Sequence, residues 1–308
     1  MRLLFAGSPA TAVVSLNALL ADGHDIVAVA TNPDARTGRG RHLAVSPVAA
    51  AAAAFGIPLL QPVRARDPWF AQAVNQLEVD AAVIVAWGTL IPDALLGVPK
   101  HGWVNLHFSL LPAWRGAAPV QRALMAGDTT SGVSTFRLVH DLDAGPWWRQ
   151  QSTTIGQDEN AGELLGRLAE IGAACLVRTL GDIASGIEPS PQAATGLSLA
   201  PKVGVEDARL TWTQPAVEIH NQVRGTTPAP GAWTTLRGQR LKIQRTALAQ
   251  TDGPTMAPGE LFATRTSLLA GTGDGRIQLV SVQSVGKPPL AGADWARGAH
   301  LDPGVRCE

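Results

Sequence analysis

The chain has 308 residues, 45% hydrophobic and 16% charged, a length and balance compatible with two globular domains and a sizeable core. Its two cysteines, Cys175 and Cys307, stand too far apart for a CxxC metal motif and exclude a disulfide framework, so a reduced, cytoplasmic compartment is expected. Net charge is zero, but residues 1–199 carry 13 basic against 16 acidic side chains and residues 200–308 carry 12 against 9, a modest asymmetry that favours an anionic partner on the C-terminal side.

Met1-Arg2 leads straight into the strand-like Leu3-Leu4-Phe5, so no signal peptide is expected. The strand ends at Gly7-Ser8-Pro9. A helix over 11–20 follows, closed by Gly23, and then a strand over 26–30. Strand, glycine turn, helix and strand make a βαβ unit, hence a parallel sheet. A dinucleotide fingerprint needs G-x-G-x-x-G; Gly7 stands alone, which argues against a nicotinamide cofactor. Residues 32–47 interleave Arg36, Arg39 and Arg41 with Gly38 and Gly40. By composition this reads as a solvated loop; the functional alternative is a basic arm for phosphates. The apolar run 44–60 is alanine-rich and broken by Pro47, Gly56 and Pro58, so it is no membrane span. Ser46 and Pro47 open a helix that ends at Gly56. A short strand at Leu59-Leu60, a helix over 68–77 and a buried strand over 81–86, stopping at Trp87-Gly88, come next.

The most informative stretch is 105–145. In Trp103-Val104-Asn105-Leu106-His107-Phe108 the apolar residues alternate with the others, which reads as a strand. Asn105 and His107 then project side by side. An amide donor beside an imidazole can hold a developing oxyanion and manage a proton. Asp143, in a Leu142-Asp143-Ala144-Gly145 turn after a strand over 132–140, is a candidate to orient the imidazole. No serine or cysteine nucleophile with an obvious base lies in the stretch, so a substrate must supply the attacking group. Between these residues come the Ser109-Leu110-Leu111-Pro112 loop and a helix over 116–127. A strand over 147–155 and an amphipathic helix over 160–183 follow, the latter with Leu164, Leu165, Leu168, Ile171, Cys175 and Leu176 on one face.

The proline-rich residues 189–204 read as a linker between a domain over 1–188 and another over 205–308. Beyond it, strand-like runs at 233–236, 241–247, 268–272 and 277–282, punctuated by glycine turns, suggest a small barrel. Between Glu218 and Asp252 there is no acidic residue, while Arg224, Arg237, Arg240, Lys242 and Arg245 all occur.

Asn105-Leu106-His107, Ser109-Leu110-Leu111-Pro112, Trp114-Arg115-Gly116-Ala117-Ala118-Pro119 and Leu142-Asp143-Ala144-Gly145, in this order and spacing, resemble the folate-dependent formyltransferases. So do Ala200-Pro201-Lys202, Ala208-Arg209-Leu210-Thr211-Trp212 and Pro230-Gly231-Ala232-Trp233 in the C-terminal part. The resemblance covers nearly the whole chain. It implies an α/β fold: a Rossmann-like, mostly parallel N-terminal sheet and a small C-terminal β-barrel of OB-like form. It also implies catalytic roles for Asn105, His107 and Asp143, and a pterin pocket built from Ser109, Leu110, Leu111 and Pro112 with the Trp87-Gly88 turn. The donor would be 10-formyltetrahydrofolate and the acceptor the α-amine of methionyl initiator tRNA, with no metal required, no membrane partner and a monomeric enzyme. In that branch of the family a Gly-Arg-Gly loop enters the acceptor end of the tRNA, and Arg39 is the matching arginine, flanked here by Arg36 and Arg41. Arg237, Arg240, Lys242 and Arg245 are the C-terminal candidates for phosphate.

The pattern departs from its relatives in three places. Ala10 stands where an acidic residue is frequent, Trp87 replaces a tyrosine in a chain with nine tryptophans and no tyrosine, and Asp141 replaces a glycine. Close to Asp143, Asp141 would raise that carboxyl's pKa. Two rival acceptors stay open, a nucleotide-linked amino sugar and glycinamide ribonucleotide, as does a non-enzymatic RNA-binding protein on the same fold.

Overall fold

The computed structural model describes residues 1–37, 42–249 and 256–308, the side chains at 36, 37, 42 and 43 lying outside that description. The described chain forms two compact units. The first holds Met1–Ala117, Ser131–Thr153 and Leu165–Ala200; the second holds Ala118–Thr130, Thr154–Leu164 and Pro201–Glu308.

In the first unit the chain runs β1 (Arg2–Gly7), α1 (Ala10–Ala21), β2 (Asp25–Ala30), β3 (Ala35–Thr37), β4 (His42–Ala44), α2 (Pro47–Ala54), β5 (Leu59–Leu60), α3 (Pro68–Gln76), β6 (Ala81–Val85), α4 (Asp93–Leu96) and β7 (Trp103–His107). The opening βαβ unit is as expected. Ser46 caps α2 by accepting the Ala49 N–H at 3.0 Å, with Pro47 in the first turn. After α5 (Pro119–Ala126), which belongs to the second unit, come β8 (Thr130–Arg137), β9 (Trp147–Thr154) and α6 (Ala161–Ala184).

The seven strands stand in the order β5-β2-β1-β6-β7-β8-β9. β1 is parallel to β2 and β6, and β6 to β7, while β8 runs antiparallel to β7. Strands β1 and β6 read as unbroken apolar runs because helices cover both faces of a parallel sheet; Leu3 to Ala6 and all of β6 are buried. Two readings need correcting. The strand expected over 132–140 ends at Arg137, because the chain folds back there and Arg137 N–H bonds Pro146 O at 2.9 Å. Within the stretch 32–47, β3 and β4 form a hairpin, with Ala35 opposite Ala44.

The second unit is built on α7 (Ala216–Thr226), β10 (Trp233–Leu236), β11 (Gln239–Leu248), β12 (Leu261–Ala263), β13 (Leu268–Gly271), β14 (Arg276–Ser284), β15 (Leu290–Ala291) and α8 (Gly292–Ala299). Its antiparallel sheet has the order β10-β11-β14-β13-β12, with β15 on β14, a curled half-barrel where the glycine-punctuated strands suggested a small barrel. Arg237 and Gly238, both at positive φ, form the two-residue turn between β10 and β11, the hairpin geometry that matches strand twist. Leu210, Trp212, Ile219, Val223, Leu241, Ile243, Leu268, Ile277 and Leu279 fill the core. No helix among the described residues is long and apolar enough to cross a membrane.

Helices α7 and α8 were not legible in the sequence. The inward face of α7 carries His220, Asn221 and Arg224 beside Ile219 and Val223, which breaks its apolar period. The Arg224 guanidinium donates to Asn221 and to the Gly156 carbonyl, both at 3.0 Å. His220 Nε2–H donates to the Gln157 carbonyl at 3.1 Å, and its Nδ1 accepts from the Thr246 hydroxyl at 2.9 Å. The carbonyl fixes the proton on Nε2, so these bonds suit the neutral ring.

Burial pulls the His220 pKa below its ordinary 6.5, helped by the Arg224 charge and opposed by Gln157 and Asp158. The neutral form is therefore the one that folding favours. Its stabilising share is complete above the unfolded-state pKa and is lost as pH falls through the lower folded-state value. His220→Gln is expected to show a shallower loss of urea stability than the parent between about pH 6.5 and 5. Equal slopes in the two proteins would assign the acid sensitivity to other groups.

Candidate active site

The site lies in the first unit, at the C-terminal end of β7. Val104 and Leu106 are buried, and Asn105 and His107 share the other face of the strand. Asn105 is partly exposed, and no side-chain hydrogen bond holds its amide among the described residues. His107 is buried, its ring edge-on to Phe136 with centroids 6.4 Å apart. Its Nε2 lies 2.9 Å from the Trp114 carbonyl. A carbonyl only accepts, so Nε2 carries the proton and Nδ1 presents its lone pair. That lone pair faces Asp143 Oδ2 at 3.7 Å, a gap too long for a direct hydrogen bond and suited to a group that brings its own proton. Burial lowers the His107 pKa from 6.5, with Asp143 and the Trp114 carbonyl opposing. The ring is thus a neutral acceptor near pH 7.

Asp143 is buried and sits at φ +49° in the expected turn, a left-handed conformation that aspartate tolerates better than most residues. The Gly116 N–H donates to its Oδ2 at 2.8 Å. Gly116 itself is at φ +127°, and a Cβ there would stand 2.7 Å from the Ala200 carbonyl oxygen, so a glycine is required to bring this N–H to the carboxylate. Asp141 is exposed; the pKa of neighbouring His140 is raised chiefly by its hydrogen bond to Asp93 and that carboxylate's charge, with Asp141 adding to them.

The Ser109–Pro112 loop is held by its own polar groups. Ser109 Oγ donates to the Ala113 carbonyl at 2.6 Å, so it is no nucleophile for His107. Ser134 Oγ accepts the Leu111 N–H at 3.0 Å and donates to the Ser109 carbonyl at 2.7 Å. Gln150 donates to the Leu111 carbonyl at 2.7 Å. Leu111 is buried and Leu110 partly so. Trp87 turns its ring into the core, 5.8 Å from Phe70, with its indole N–H unpartnered. Its carbonyl accepts from Asn32 at 3.4 Å, and Gly88 follows at φ +71°. That turn therefore faces Asn32 with backbone groups and keeps the indole inside.

Four positioning side chains escaped the sequence reading: Ser134, Gln150, Gln192 and Ser198. Ser134 lies on a strand where alternation could have drawn attention to it. Gln192 and Ser198 lie in the proline-rich run, which has no periodicity to read. Yet Ser198 Oγ accepts the Trp114 N–H at 2.9 Å, and Arg115 exchanges backbone bonds with Ser198 and Ala200 at 2.9 and 2.7 Å.

The basic candidates fall into three groups. Arg39 and Arg41 lie outside the described residues, and Arg36 is described only by its backbone in β3. In the second unit Arg237 pairs with Asp302 at 2.9 Å, and Arg245 with Glu163 at 3.3 Å. Arg240 lies 3.9 Å above the Trp233 ring, and Lys242 Nζ is 3.5 Å from the Pro230 carbonyl. Arg240 and Lys242 have no carboxylate partner among the described residues, so their charge is the more available for phosphate.

Residues 1–180 match the family described as formyl transferase, and residues 202–300 the one described as formyl transferase, C-terminal domain. The methionyl-tRNA formyltransferase of Nocardioides sp. is 51% identical over 308 residues, covering 99% of this chain and 98% of that protein. That of Streptomyces coelicolor is 50% identical, covering 99% of each. Among solved structures, an N-formyltransferase from Helicobacter canadensis in complex with folinic acid and dTDP-3-aminofucose shares the fold at a TM-score of 0.70 and 19% identity, over 91% of this chain and 98% of that one. HypX from Aquifex aeolicus in complex with tetrahydrofolic acid does so at 0.68 and 18%, over 96% of this chain and 47% of that one.

Both parts of the fold are therefore those of a formyltransferase, and the enzyme class follows. The chain belongs to the methionyl-tRNA formyltransferase family.

Proposed function

We propose that the chain transfers a formyl group from 10-formyltetrahydrofolate to the α-amine of methionine on initiator tRNA, a step of translation initiation. The observation that carries this reading is the convergence of an uncommitted amide, Asn105, a buried neutral imidazole and a carboxylate, with no enzyme nucleophile bonded to them among the described residues. Such a site suits direct attack by an amine. The whole-length identity to methionyl-tRNA formyltransferases supports the choice of acceptor.

The folate donor supplies an activated formyl carbon. Asn105 donates to the formyl oxygen as charge builds on it, a contact of the kind that contributes on the order of 3 kcal/mol to lowering the barrier. The incoming amine loses a proton as its nitrogen bonds to that carbon. His107 Nδ1 accepts this proton, with Asp143 across the gap to balance the imidazolium. Protonated there, His107 donates in turn to the oxyanion and then returns the proton to the departing folate nitrogen. The partly buried Ser109–Pro112 loop and the backbone of Trp87-Gly88 are the proposed walls of the pterin slot, an apolar surface with a few polar backbone groups. Residues 1–188 are proposed to carry the chemistry and 205–308 to assist tRNA binding.

Incubating the protein with 10-formyltetrahydrofolate and charged initiator tRNA, with aminoacylated elongator tRNA, an amino-sugar nucleotide and glycinamide ribonucleotide as parallel acceptors, tests the reading. Formyl-methionyl-tRNA as the preferred product supports it, and preference for another acceptor overturns it. The basic arm has its own test. Arg39→Ala is expected to lower kcat/KM for tRNA about ten- to a hundredfold, the worth of one charge-assisted contact, while folate affinity in equilibrium titration stays unchanged. Equal loss of folate affinity would make the arm structural.

A further inference from the structure

We propose that Gln192 is a positioning residue for the formyl-transfer site: its amide locks the Asp143 turn and so sets the distance between Asp143 and His107. This inference rests on the function proposed above.

Gln192 is flanked by exposed Pro191 and Ala193, yet its own side chain is partly buried and fully committed. Its Nε2 donates to the carbonyls of both Asp143 and Gly145, each at 2.7 Å. Its Oε1 accepts from the Arg115 guanidinium, at 3.2 Å from Nε and 2.6 Å from Nη2. A primary amide has two N–H donors and one carbonyl oxygen, and all are used on one catalytic turn and one neighbouring loop. Arg115 precedes Gly116, whose N–H holds the Asp143 carboxylate. A closed ring results: Asp143 backbone, Gln192, Arg115, Gly116 and Asp143 Oδ2. It grips Asp143 at both ends.

That grip answers a specific need. Asp143 sits in a left-handed conformation, tolerated by aspartate but sparsely populated, so the bonds that hold the turn there also hold the carboxylate. Two carbonyls of the turn, those of Asp143 and Gly145, converge on one nitrogen. Released, the carboxylate would move relative to His107, whose other nitrogen is fixed on the Trp114 carbonyl. No other natural side chain reproduces the contact. Glutamate cannot donate to the two carbonyls, asparagine is one methylene shorter, and methionine has the length but no polar group.

The test uses the full chain with Gln192→Met and Gln192→Glu. Both are expected to lower kcat roughly ten- to a hundredfold, the cost of misplacing a reacting group by about 1 Å. KM for donor and for tRNA should change by less than about threefold, because the proposed role is to place Asp143 for the transition state. The Glu variant keeps a partner for Arg115 but sets a negative charge against the Asp143 turn, so the acid limb of its kcat profile should move to higher pH. The Met variant should show no such charge-driven move. A merely structural role would lower thermal stability and the active fraction while leaving kcat per active site at the parent's value, and that result overturns the proposal. If the Met variant fails to fold, the Glu variant decides on the same kcat criterion. A crystal structure of either folded variant gives a readout independent of the acceptor: a displaced Asp143 carboxylate is expected, and an unmoved one overturns the proposal. Absence of methionyl-tRNA formylation by the parent would instead count against the function proposed above.

Discussion

His107→Ala is expected to lower kcat by about 10²- to 10⁴-fold, the range for removing a positioned general acid–base. Asn105→Ala should cost about 10²- to 10³-fold, the range for one oxyanion donor. Substrate affinity should change far less in both, because the proposed contacts strengthen only as the formyl oxygen gains charge and the amine sheds its proton. The pH profile separates the two residues. Burial holds the His107 pKa below 6.5, so the neutral, proton-accepting ring persists at pH values where an exposed histidine is already charged. The parent's kcat should hold as pH falls and then decline on a limb below pH 6.5. Asn105→Ala should keep that limb at reduced height, and His107→Ala should lose it. Measuring kcat rather than kcat/KM matters, since the kcat profile reports groups in the bound complex and not the free amine. Near-parent turnover in either variant would remove that residue from the mechanism.

The second large effect is expected at Gly145. A Cβ there would lie 1.7 Å from the Arg137 carbonyl oxygen and 3.4 Å from the Phe136 ring. The nearer atom is backbone, held in the fold-back where Arg137 N–H meets Pro146, so no side chain can swing away to make room. Gly145→Ala should therefore lose about 3 kcal/mol or more of unfolding free energy, the upper end for overpacking. Turnover should fall with it, because Asp143 and the Gly145 carbonyl that Gln192 holds are parts of the same turn. Gly56→Ala is the control. Gly56 has a positive φ of 66° but open space around it, so its cost is only the conformational one, about 1–2 kcal/mol. Equal urea midpoints for the two variants would mean that the β8–β9 connection yields to make room for the methyl group.

Much of the fold was legible because its signals are local. The apolar run of β1, its glycine turn, the helix after it and β2 spell a βαβ unit and so a parallel sheet, and the unbroken apolar run of β6 reads as a buried strand. Alternation along Trp103 to Phe108 placed Asn105 and His107 on one side of a strand. The β-turn chemistry of Leu142 to Gly145 placed Asp143 at a bend. The strand-rich C-terminal part was legible from its glycines. Elements whose inward face is polar escaped. In α7 the buried His220 and Arg224 find their partners in Gln157, Thr246 and Gly156, far away in sequence, and a hydropathy pattern carries no record of such partners.

By itself the sequence determined which residue types meet at the end of β7, their faces, and the family. Side-chain direction in a strand and the conformational demands of glycine and proline are near-neighbour effects, and the linear chain expresses them. Only the tertiary structure decided the chemistry of the individual atoms. Whether Nε2 or Nδ1 of His107 is the working nitrogen depends on the Trp114 carbonyl. The histidine's neutral state depends on burial, and the setting of Asp143 on Gly116 and Gln192. Hydrogen bonds and desolvation act over a few ångströms of space and take no account of separation along the chain, so a proline-rich run without any pattern can supply the side chain that holds the carboxylate in place.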